Sequence, residues 1–99
     1  MNDNMTTHIG LLHIDLFIAS SQSLKDKRQV LKSLKDRVRN KFNVSVSELD
    51  GLDKWQRATL GFVMISNDNR HVDSSLQNIA SLIESHPDVE TTDRRMEFI

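Results

Sequence analysis

No cysteine occurs in the 99 residues, which excludes disulfides, thiol catalysis and thiolate metal sites together. That absence fits a reducing compartment. No run approaches the roughly 18 to 20 apolar residues that a membrane-spanning helix needs, so no membrane partner is expected. The first residues, Met1-Asn2-Asp3-Asn4-Met5-Thr6, lack the basic start and apolar stretch of a secretory leader. A cytoplasmic location is the resulting expectation. Residues 1–6 read as a flexible polar tail and residues 7–99 as one domain, too short for two cores. With 37% apolar and 27% charged residues the chain is too apolar to stay disordered.

What is present is a strongly uneven distribution of charge. Residues 24–42 carry eight basic side chains against two acids, Asp26 and Asp36, a local charge of +6. The remaining residues hold five bases and twelve acids, or −7, so a nearly neutral chain concentrates its positive charge on one element.

The hydrophobic pattern predicts six elements in the order βαββαβ. His8 to Ile18 alternates, with Gly10, Leu12, Ile14, Leu16 and Ile18 on one face and Leu11, His13, Asp15 and Phe17 on a mixed one. Ser20 to Ser23 forms a loop, and Ser23 with Asp26 resembles a capping box. The helix that follows buries Leu24, Leu31, Leu34, Val38 and Phe42. Lys25, Arg28, Lys32, Lys35 and Arg39 form a separate stripe about 100° around it. A short strand is expected over residues 43–48, a polar turn over 49–54, and a strand over 56–66 that is apolar on both faces, as a central strand would be. Asn67 or Asp68 caps a second helix over about 70–85, which Pro87 stops, and residues 89–99 form the last strand. The expected fold is α+β and ferredoxin-like: a four-stranded antiparallel sheet with both helices on one face. Many functions share that fold, so it assigns none.

Ser23-Leu24-Lys25-Asp26-Lys27-Arg28, then Leu31, Leu34 and Val38, then Lys41 to Glu48, closely resemble the small bacterial proteins of the DUF503 or YlxP-like family. Trp55-Gln56-Arg57-Ala58, Leu60-Gly61 and Ser66-Asn67-Asp68 continue the match over residues 8–99. Asp26 stands where Glu is usual, and residues 1–6 are additional. The resemblance implies a ferredoxin-like fold and no activity. Its members often neighbour transcription, translation-initiation and ribosome-maturation genes, which implies an RNA or ribosome connection by association alone.

Other motifs read more plainly. Ser20-Ser21-Gln22-Ser23 could cradle a phosphate at a helix start, but it has no glycine, and capping is the stronger reading. Gly61-Phe62-Val63 matches the middle of an RNA-binding strand consensus, yet Leu60 and Ile65 replace its aromatics and Phe62 reads as core. His8, His13, His71 and His86 are scattered. His13 and Asp15 share a strand face but are two ligands at most, so no metal and no cofactor is expected. Trp55 reads as a packing anchor.

No nucleophile–base arrangement emerges, so the chain is expected not to be an enzyme. The leading expectation is an RNA- or ribosome-associated accessory protein. It would bind phosphates through Lys25, Arg28, Lys32, Lys35 and Arg39, with Arg57 in addition. The alternative is a protein-interaction or self-associating regulatory module, including a homodimer, that uses the open sheet face around Leu11, His13 and Phe17. A small-ligand sensor or enzyme ranks last.

Overall fold

In the computed structural model, which describes residues 6–99, the chain runs β1 (His8–Phe17), α1 (Leu24–Lys41), β2 (Ser45–Asp50), β3 (Arg57–Ser66), α2 (Asn69–Glu84) and β4 (Glu90–Phe98). The expected tail falls on residues 1–5, outside the described residues, and Thr6, which is exposed in a turn. The strands form one sheet in the order β2-β3-β1-β4, with β1–β3, β1–β4 and β2–β3 all antiparallel. This is the ferredoxin-like arrangement.

The period-2 alternation of β1 sets the core. Leu12, Ile14, Leu16 and Ile18 are fully buried and join Leu31, Leu34 and Val38 of α1 and Val72, Leu76, Ile79, Ala80 and Ile83 of α2 in one cluster. Helix starts are set by short polar side chains. Ser23 Oγ accepts a hydrogen bond from Asp26 N at 3.0 Å, and Asp26 Oδ2 accepts one from Gln22 N at 3.0 Å. A Glu would reach the cap residue's own amide, whereas Asp26 satisfies the residue before it. Asp68, not Asn67, caps α2 by accepting from Arg70 N at 3.0 Å.

Three expectations are corrected. Strand β2 starts and ends two residues late, and its end is extended by a bulge between Glu48 and Asp50 that lets pairing with β3 continue into the predicted turn. The turn instead begins at Gly51, whose φ of +80° is open to glycine at little cost. Strand β3 is central but not buried on both faces: Val63 and Ile65 are 40% and 64% exposed, because both helices cover the opposite side. Leu24 is only half-buried, and a charged residue takes the core position four before Leu31.

At Gly10 α2 packs too closely on the sheet to admit a side chain. A Cβ there would lie 2.5 Å from Val72 Cγ1 and 2.7 Å from Leu76 Cδ1, both buried. At Gly61 a Cβ would meet Leu49 Cδ1 at 2.6 Å, but Leu49 is half-exposed and its tip can swing away. Gly10→Ala is therefore expected to lose about 1–3 kcal/mol in urea unfolding through overpacking. Gly61→Ala should lose much less, and equal losses would refute this reading of the helix–sheet contact.

Candidate nucleic-acid interface on the first helix

The charged residue in the core of α1 is Lys27, with 1% of its surface exposed. It continues the buried stripe 27-31-34-38 at spacings of four, three and four. Its Nζ donates to Gly51 O at 2.6 Å and Arg57 O at 3.1 Å. It also lies 2.7 Å from Glu48 Oε2, whose side chain is 13% exposed. The Glu48 contact is a close ion pair rather than an aligned hydrogen bond, since that oxygen has no hydrogen-bond partner of good geometry. One ammonium thus ties α1 to the end of β2, the Gly51 turn and the start of β3. In the sequence Lys27 and Glu48 stand out only as charge and as parts of the family motif, with no pairing implied. The signal available was the position of Lys27, one helical turn before Leu31 on the apolar face.

With Lys27 turned inward, the outer face of α1 keeps the basic stripe. Arg28, Lys32, Lys35 and Arg39 line one groove of about 340 Å³ together with Leu31, Asp36 and Glu48 of β2. Arg28 to Arg39 spans about 16 Å along the helix axis at 1.5 Å per residue. Four of the five expected stripe residues are brought together. Lys25 is exposed in the first turn, outside the residues lining the groove.

The groove is not uniformly basic. Asp36 accepts a hydrogen bond from Lys32 Nζ at 2.7 Å, an exposed pair one turn apart. That hydrogen bond holds the Asp36 carboxyl below its ordinary pKa, with desolvation opposing it and the charges of Lys32, Arg39 and Lys35 helping. At the far end, Arg39 Nη2 lies 3.5 Å from Val46 O on the outer edge of β2. Both contacts are solvent-exposed and weak enough to yield to a stronger anion.

Arg57 belongs elsewhere. It pairs with Phe17 in the β1–β3 register, its guanidinium lies 5.4 Å from the Phe17 ring, and it lines a hollow of about 190 Å³ with Asp15, Asp50 and Lys54. This places Arg57 on the sheet face away from the helices, a correction to its grouping with the α1 stripe. Leu11, His13 and Phe17 are half-buried on that same face, interleaved with Asp15 and, on β4, with Asp93, Arg95 and Glu97. Trp55, read as a packing anchor, is 56% exposed, whereas its neighbour Gln56 ties the loop to the chain just past β1, with Nε2 donating to Ala19 O and Ser21 O at 3.1 Å each. Among the described residues no group of three or more metal-ligating side chains occurs. Nor, among those residues, is any helix long and apolar enough to cross a membrane.

Comparison with known proteins fits this arrangement to a family. The family model described as "Protein of unknown function (DUF503)" matches residues 9–96. The "Uncharacterized protein YlxP" of Bacillus subtilis (strain 168) is 40% identical over 90 residues, covering 91% of this chain and 98% of that relative. The chain belongs to the DUF503 family. Neither description carries an activity.

Removing the Lys27 ammonium leaves a largely buried carboxylate and two carbonyls without their partner. Lys27→Met is expected to cost about 3–5 kcal/mol in chemical unfolding. Adding Glu48→Gln should recover part of that loss by removing the stranded charge. A double variant no more stable than Lys27→Met would show that Glu48 does not depend on the ammonium.

Proposed function

We propose that this DUF503 protein is an RNA- or ribosome-associated accessory protein that grips the phosphate backbone along α1. The observation that carries the reading is the convergence of Arg28, Lys32, Lys35 and Arg39 on one groove, on the outer face of a helix that turns only Lys27 of its lysines into the core. Phosphates need only closely spaced cations that are not locked to acids. Three of the four groove cations have no salt-bridge partner among the described residues, and the fourth is held by an exposed aspartate. Lys25 extends the same positive face by one turn toward the helix start. The reading assigns binding, not catalysis, and places the protein in the cytoplasm, where RNA and ribosomes reside.

The alternative, a module docking a protein on the open sheet face, has less behind it. Leu11, His13 and Phe17 share that face with five charged residues of mixed sign, Asp15, Arg57, Asp93, Arg95 and Glu97, and its apolar part is confined to one end, where Leu11 lies beside Val63 and Ile9 beside Ile65.

Filter binding to ribosomal RNA fragments across a salt series tests the proposal. Four neutralised phosphates give a slope of log K against log salt of about −2.8 on single strands. Lys32→Glu with Lys35→Glu should abolish binding, and Arg57→Ala should leave it intact because that residue faces away. Binding that survives the double reversal would overturn the helix assignment.

Asp36 supplies a test in the opposite direction. Its depressed pKa keeps it ionised, and Lys32 engaged, at pH values where an ordinary carboxyl starts to protonate; the pair is released only as pH falls through that lowered value. Asp36→Asn at neutral pH is therefore expected to tighten RNA binding, and weaker binding would show that Asp36 positions Lys32 productively.

A further inference from the structure

The sheet ends in two free edges, and they are unlike. The outer edge of β2 is short, ends in a bulge, has its Val46 carbonyl next to Arg39, and lies under four cations of α1. A second copy placed there would meet like charge. The edge of β4 is longer. Its bulge lies at Thr92, where Asp15 pairs with Asp93 but Leu16 with Thr91, so Asp93 to Phe98 runs regularly. Ile99 continues the run, donating its N–H to Ile9 O at 2.9 Å.

That bond fixes the phase of the strand. Backbone groups of Asp93, Arg95, Glu97 and Ile99 point toward β1, so those of Arg94, Met96 and Phe98 point outward. On the side-chain level, Asp93, Arg95 and Glu97 lie on the open face with alternating sign. Charges on an edge strand ordinarily guard it by repelling a copy of themselves. Here alternation makes the guard depend on register.

We propose that the chain forms a homodimer by antiparallel pairing of β4 with β4 of a second copy, with the two-fold axis at Met96. In this register Arg95 faces Glu97 of the second copy, and Glu97 faces its Arg95. Arg94 stands opposite the other copy's Phe98, which is 49% exposed in the single chain. The outward N–H and C=O groups of Arg94, Met96 and Phe98 all find partners. Moving the axis to Arg95 would oppose two arginines and set Asp93 against Glu97. Moving it to Arg94 would bring the bulged Thr92 opposite Met96. Only the Met96 register combines opposite charges with an unbulged segment. The product is a continuous eight-stranded sheet with all four helices on one face and both basic grooves free at its ends.

An edge of seven residues is smaller than a standard interface, so the dimer is weak and concentration-dependent. Sedimentation equilibrium between about 10 µM and 1 mM should show the mass rising from 11.4 kDa toward twice that value. Glu97→Lys should hold the chain at the single-chain mass over the same range, whereas Asp93→Lys should leave association intact. Arg95→Glu should also give a monomer, and combining it with Glu97→Arg should restore the dimer. Arg94→Pro removes an outward N–H without disturbing the β1 ladder and should abolish association while circular dichroism stays unchanged. A monomer at every concentration overturns the proposal, as does a dimer indifferent to Arg94→Pro. Sensitivity to Asp93→Lys with indifference to Glu97→Lys overturns the register.

Discussion

A single ammonium group, almost wholly withdrawn from water, holds the two halves of the β2–β3 hairpin against the first helix. Burying a charge is costly unless it is paired and hydrogen-bonded, and Lys27 meets both conditions through Glu48, Gly51 and Arg57. The consequences spread outward. The Gly51 carbonyl also accepts from Lys54 N at 2.9 Å, so the turn is closed and anchored at the same oxygen. A side chain at Gly51 would lie 3.0 Å from Arg57 O, one of the two carbonyls that Lys27 bonds. Through these contacts the bulge of β2, the turn and the start of β3 are placed relative to α1.

This arrangement also separates two uses of basic residues on one helix. Lys27 serves the fold, and the cations on the outer surface are free to serve binding. The division follows from helical periodicity: positions 27, 31, 34 and 38 share the inward face, while 28, 32, 35 and 39 follow one residue later on the neighbouring one. A count of charge mixes the two groups. Burial distinguishes them.

Much of the fold was legible because its signals are local. Alternation in β1, the apolar stripe of α2 and the caps Ser23 and Asp68 each depend on residues a few positions apart. The errors share a different cause. The late end of β2 reflects a bulge, which is a property of pairing with β3. The exposure of Val63 and Ile65 depends on which face both helices chose, and that choice is made by the whole chain. The exposure of Trp55 and the anchoring role of Gln56 depend on what lies opposite the loop, which is the chain just past β1. The candidate site was legible in part: the α1 stripe came from spacing alone, whereas the separation of Arg57 needed the register of β1 against β3.

Periodicity and short motifs act over one or two turns of chain, so the order of elements, the family and the positive character of α1 are readable from the residues alone. That Lys27 is internal, that four of the basic residues share a groove with Glu48 and that Arg57 faces the other way depends on how helix and sheet pack. Those outcomes turn on contacts 24 to 30 residues apart for Lys27, whose partners are found only once helix and hairpin have packed. The edges of the sheet follow the same division: the sequence supplies the alternating charges of β4, and strand order leaves that edge unpaired.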